Sequence, residues 1–140
     1  MAHYGMTTVL SLPHAAAVER VRDELATEGF GILSEIDVAA TLQRKLGVEV
    51  RPYRILGACN PPLAHRALTL EPSIGLLLPC NVVVYEGDTP ETSVVSIMDP
   101  EQAMQLAAHP DVRPLALEAK ARLQRVLDRL QLSAPAAPAA

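Results

Sequence analysis

Two cysteines are the residues in this chain of 140 whose type and setting could do chemistry. Each is followed by asparagine, as Cys59-Asn60 and Cys80-Asn81. Cys59 lies in Arg54-Ile-Leu-Gly-Ala-Cys-Asn-Pro-Pro-Leu-Ala-His-Arg-Ala-Leu68, which reads as the end of a strand, a sharp entry and a short helix. Asn60 suits the N-cap and Pro61 the first helical position, where a missing N–H is no loss. A sulfur just outside that helix mouth meets unpaired N–H groups and the positive end of the helix dipole, and both favour a thiolate. The two sulfurs together would offer a redox pair or soft ligands. The amides of Asn60 and Asn81 would orient a bound group. His65 would add a metal or haem ligand or a proton carrier. Arg54 would hold an anion or lower a thiol pKa.

Each of these residues also has a simpler role. Free cysteines are among the most buried residue types, and Cys80 sits inside Leu76-Leu-Leu-Pro-Cys-Asn-Val-Val-Val-Tyr85. Asn60 is explained by capping and Asn81 by a bend in a strand. A surface place for His65 and an ion pair for Arg54 need no ligand.

Missing patterns narrow the chemistry. There is no Cys-x-x-Cys, hence no signal for a thioredoxin-type centre or a zinc knuckle, and no Cys-x-x-Cys-His for covalent haem. No glycine-rich phosphate loop follows a strand, and no Gly-x-Ser-x-Gly occurs. The net charge of −4 leaves no electrostatic footprint for nucleic acid. No apolar segment reaches the ~20 residues that span a bilayer. The N-terminus carries no basic and then apolar leader. Two cysteines do not make a secreted disulfide framework, so a cytoplasmic protein with reduced thiols is expected.

The elements that must position these residues follow from periodicity. Tyr4 to Leu12 reads as a strand. A helix from Pro13 to about Glu28 places Ala17, Val18, Val21 and Leu25 on one face, and Gly29 stops it. Phe30 to Ile36 is a second strand, and Asp37 caps a short helix that Gly47 ends. Val48 to Ala58 is strand-like, interrupted at Pro52. Ile74 to Tyr85 is the most apolar run and reads as a buried strand with a bend at Pro79. Thr92 to Met98 returns as its hairpin partner. Asp99 opens a short helix. Asp111 opens a final one, with Leu115, Ala119, Leu123, Val126, Leu127 and Leu130 inward. The pattern predicts an α+β domain over 1–132, a single mixed β-sheet with helices packed on one face, and a disordered Ala/Pro tail over 133–140. A right-handed parallel crossover from the Cys59 strand to the Cys80 strand would bring both sulfurs to one end of the sheet.

With those segments in view, the chain resembles domain-of-unknown-function family 302. The matching pieces are Gly29-Phe-Gly-Ile-Leu-Ser-Glu-Ile-Asp37, Arg51 through Pro62, Ala64-His65, and Leu76 through Glu86. The similarity runs from about Tyr4 to Leu130. It implies a compact α/β-type homodimer and no particular activity. A mean hydropathy of +0.18 likewise suggests apolar surface in need of a partner. The function expected is non-catalytic binding of a small ligand, soft metal, haem or sulfur species in a pocket around Cys59, Cys80 and His65. A thiol-dependent redox or transfer enzyme using Cys59 is one alternative, and a structural dimer without ligand is the other.

Overall fold

The computed structural model describes residues 3–133. Five strands form one sheet: β1 (Gly5–Leu10), β2 (Gly31–Asp37), β3 (Tyr53–Cys59), β4 (Cys80–Glu86) and β5 (Ser93–Met98). Five helices accompany them: α1 (His14–Thr27), α2 (Val38–Leu46), α3 (Pro61–Leu70), the short α4 (Pro100–Ala103) and α5 (Val112–Ser133). The strand order is β1-β5-β4-β3-β2, so α1 carries the chain from one edge of the sheet to the other. The α+β class with helices over one face holds.

Every strand pairing is antiparallel. The sheet is therefore not mixed, and the parallel crossover expected between β3 and β4 is absent. The two strands are direct neighbours, with Ala58 opposite Cys80. The reason lies in residues 72–79. Pro72 and Pro79 lack the N–H needed for a ladder, and the first half of the apolar run folds as a 3-10 turn, Pro72–Leu77, instead of a strand. That turn reverses the chain after α3, and the Leu78–Pro79 peptide that follows is cis.

Side chains alternate across the sheet with a period of two. On the covered face, Leu56, Ala58, Val82, Val84, Val95 and Ile97 are fully buried. They meet Ala17, Val18, Val21 and Leu25 of α1 and the apolar stripe of α5. The periodicity of those two helices places in the core the residues expected there. The opposite face, with Ile55, Val83, Tyr85 and Val94, is only half-buried. α2 forms as expected: Asp37 accepts from the Ala40 N–H at 2.9 Å, and Gly47 ends the helix with φ +66°. Yet none of its residues is buried. The expected tail lies outside the described residues apart from Ser133, the last residue of α5.

Gly57 shows how the end of the sheet is closed. A Cβ there would strike Ser34 Oγ and come within 2.8 Å of Pro79 Cγ, so the bare backbone makes room for the proline ring to lie against β3. At Gly31 a Cβ would meet nothing within 4 Å. Gly57→Ala should therefore cost about 1–3 kcal/mol in a denaturant titration, the usual range for overpacking. Gly31→Ala should be neutral or slightly stabilising through the lower entropy of the unfolded chain. Equal effects at the two glycines would contradict the packing described.

Candidate functional site

β3 ends and β4 begins at the same end of the sheet, because the two strands are antiparallel neighbours. β2 begins and β5 finishes there too. Phe30 enters β2, Asn60 leaves β3, Cys80 opens β4, and Pro100 follows β5. These residues converge with Leu63, Ala64 and Ala67 of α3, Met104, and the first turns of α5 around a partly open cavity of about 50 Å³. Its wall is almost wholly apolar.

The sequence positions this wall locally. Asn60 is 8% exposed and caps α3: its Oδ1 accepts from the Leu63 N–H at 3.3 Å. Its Nδ2 donates to the Glu28 carbonyl at 3.3 Å. Gly29 takes φ +80°, a conformation only glycine adopts without strain, and a Cβ there would sit 3.1 Å from Asn60 Nδ2. The end of α1 is thus fitted against the start of α3. Asp99 caps α4 by accepting from the Glu101 N–H at 2.9 Å, and Lys120 of α5 reaches Asp99 and Glu101 at 2.9 Å each. That ion pair holds the Pro100–Met104 side of the cavity to α5.

The six residues singled out by type do not meet at one site. Cys80 and Asn60 line the cavity. Cys59 does not. One residue beyond Ala58, it takes the opposite side of the pleat from Cys80, so the two sulfurs leave neighbouring strands towards different faces. Asn81 is exposed on that second face as well. His65 is exposed on α3 and lines a separate surface cleft with Asp111 and Pro114. Arg54 lies at the far end of β3, paired with Glu35 and, at 3.4 Å, with Asp37. Glu35 also receives Arg22 at 2.9 Å, and hydrogen bonds from Arg22 and then Arg54 hold its carboxyl below the ordinary carboxylate value. Arg54 therefore serves the edge of the sheet, as the simpler reading had it. Among the described residues, no three His, Cys, Asp or Glu side chains are grouped to hold a metal ion.

Desolvation raises both thiols, although Cys80 is buried and Cys59 only partly so. Burial pushes the Cys59 thiol above its ordinary value, against the expectation of a thiolate at a helix mouth. The pleat turns its sulfur to the second face, and Asn60 already satisfies the Leu63 N–H. Burial, with a smaller effect from the charge of Cys59, pushes the Cys80 thiol up to about 11. Cys80 is a neutral, weakly polar group on an apolar wall.

Sequence reasoning missed most of that wall. Phe30, the one phenylalanine in the chain, stands directly after Gly29 and offered a composition signal. Met104 offered a second sulfur. Leu63, Leu115 and Ala116 carry no mark in the sequence beyond helical periodicity.

Fold and cavity together define an α+β protein built on a one-sided antiparallel sheet with an apolar cavity at one end. The chain belongs to the family described as Domain of unknown function DUF302, whose model matches residues 6–130. A solved structure similar to it is that of an uncharacterized conserved DUF302 protein from Bacillus stearothermophilus. The two share 32% identity over 92% of this chain and 99% of that one, with a TM-score of 0.82. No curated protein matches the chain.

The Cys80 pKa carries a stability prediction. The unfolded thiol ionises near ~8.5, below the folded one. Above that pH the unfolded chain releases a proton that the native chain still holds, so stability present below about pH 8.5 is lost as pH rises towards 11. Denaturation of wild type should lose roughly 3 kcal/mol more than Cys80→Ala between pH 8 and 11. Parallel curves for the two proteins would show that Cys80 is not held neutral by the fold.

Proposed function

We propose that the protein is a non-catalytic binding protein that works as a pair of identical chains and takes a small neutral ligand in the apolar cavity at the end of its sheet. The supporting observation is the cavity itself: apolar walls from three helices, the start of β4 and the residues flanking β2 and β3, with the neutral thiol of Cys80 and the thioether of Met104 on its surface. Pockets of this composition favour apolar ligands and fix them with few polar contacts. Both polar groups of Asn60 are already engaged, which leaves the two sulfurs as soft contact points. A small hydrocarbon or sulfur compound fits this chemistry better than an ion.

Size narrows the ligand further. A water-sized group needs roughly 10–15 Å³ of such space, so about 50 Å³ admits a group of roughly four heavy atoms. A porphyrin is many times larger, which removes the support for haem. The soft-metal reading loses its basis in Cys59 and His65, because neither faces the cavity. A thiol enzyme built on Cys59 is less well supported, since burial raises that thiol and no base stands beside it among the described contacts. We place the protein in the cytoplasm, where two unpaired thiols stay reduced. No helix among the described residues is long and apolar enough to cross a membrane.

The test uses xenon and dimethyl sulfide as probes, read by amide chemical shifts. Both should shift Leu63, Cys80 and Ala116 in wild type and in Cys59→Ala. Ala116→Leu, which fills the cavity, should abolish the response while the fold persists. A response absent from wild type, or surviving in Ala116→Leu, would sink the cavity as the binding site.

A further inference from the structure

The second face of the sheet breaks the usual rule for an antiparallel sheet with one solvated side, which is apolar inward and polar outward. The strands contain four charged residues: Glu35, Asp37, Arg54 and Glu86. Register assigns all four to the helix-covered side. Asp37 and Arg54 align with buried Val84 and Val95. Glu35 aligns with buried Leu56, Val82 and Ile97, and Glu86 with buried Ser93. No charged strand residue is left for the uncovered side. That side presents Val9, Ile36, Ile55, Val83, Tyr85 and Val94, with Val9 at 56% and Ile36 at 48% exposure, and its polar residues are the uncharged Thr7, Ser34, Asn81 and Ser96. Tyr85 stacks on Tyr53 with ring centroids 5.2 Å apart, and Val38 and Leu42 of α2 line a cleft beside that pair. α2 therefore extends the same apolar surface: Val38 and Leu42 are only partly buried, and no residue of the helix is fully covered among the described residues.

We propose that two copies of this chain pack these uncovered sheet faces against each other around a two-fold axis, making a sandwich of two five-stranded sheets with α2 at its border. This rests on the homodimer reading above and names the surface that forms it. Two arguments select a second copy as the occupant. The first is charge. A two-fold interface sets each patch against itself, so like charges on it would be driven together and oppose pairing. An uncharged face is the kind that tolerates its own image. A lipid surface is disfavoured by the net charge of −4 and by the lack of basic residues on the strands of this face, the only basic residues of α2 being Arg44 and Lys45 in its last turn. The second is area. Five strands about 4.8 Å apart and six or seven residues long cover roughly 500 Å². The apolar side of α2 extends this towards the ~800 Å² per partner of a stable interface.

The experiment is sedimentation of the full chain with single charges placed on each face. Val9→Lys and Ile36→Lys alter side chains already exposed at opposite edges of the sheet, so folding is not at stake. Val83→Lys alters the centre. Leu117→Lys, on the outer side of α5, and Leu106→Lys, near Met104, are the controls. Wild type should be a dimer at micromolar concentration. The three sheet-face variants should raise the dissociation constant by about 100-fold or more, as expected for charges buried without partners. The two controls should leave it unchanged. A wild-type dimer indifferent to all three sheet-face charges would overturn this surface and leave the homodimer reading standing. Dissociation by Leu106→Lys alone would move the interface to the cavity mouth. A wild-type monomer that gains mass only with a different protein would overturn both.

Discussion

Glu28 is the residue on which the arrangement of the helices depends. It follows α1, and its backbone carbonyl accepts from Asn60 Nδ2 and from Arg122 Nη1, each at 3.3 Å. Its carboxylate receives Arg125 at 2.8 Å and Arg129 at 3.0 Å. One residue thus ties the end of α1 to the cap of α3 and to the middle of α5. The hydrogen bond from Arg125, ahead of that from Arg129, holds the Glu28 carboxyl below its ordinary value. The arginine heads are substantially exposed, so each pair alone adds little. Their weight lies in geometry. Arg122, Arg125 and Arg129 recur along one stripe of α5, so α5 is clamped in rotation as well as position. That fixes which of its side chains, Leu115, Ala116 and Ala119 among them, face the cavity.

The pleat is the second constraint. Cys59 and Cys80 lie on neighbouring strands at one end of the sheet, close enough for the charge of one to disfavour ionisation of the other. Proximity along the ladder does not make a shared site, because a shift of one residue reverses the face. Cys80 aligns with Ala58 and joins the helix side, whereas Cys59 aligns with Gly31 and joins the uncovered side. A redox pair would need both sulfurs on one face.

Much of the scaffold is legible in the sequence because local rules and tertiary demands agree. Asn60 and Asp37 cap their helices as their types dictate, and Gly47 ends α2 in the left-handed conformation. The spacing of Ala17, Val18, Val21 and Leu25 defines the buried face of α1. The failures have equally specific causes. An apolar run does not by itself distinguish a strand from another buried segment, and Ile74 is fully buried within a 3-10 turn rather than on the sheet. A helix between two strands suits either a parallel crossover or an antiparallel return, and the choice fell to the two prolines of residues 72–79. The candidate site was less legible than the fold. Phe30, Leu63, Met104 and Leu115 come from four separate segments and meet only after the sheet has assembled. Residues chosen for chemical type point to sites near in sequence, whereas this cavity is assembled from packing.

Cavity and uncovered face share one origin. Helices α1, α3 and α5 cover one side of a five-stranded sheet, and three helices neither close the end of that side nor reach the other. At the end, where β3 gives way to Asn60 and β4 starts at Cys80, the gap left between them and α3 and α5 is faced with small and flexible side chains: Ala64, Ala67, Ala116 and Met104. Filling it would take one larger residue at any of three alanines, a change well within ordinary core variation. On the other side, the strands keep their charged residues towards the helices and turn only uncharged ones, valine, isoleucine and tyrosine among them, towards the open. Both features run against the stability of an isolated chain, since each leaves apolar surface in water.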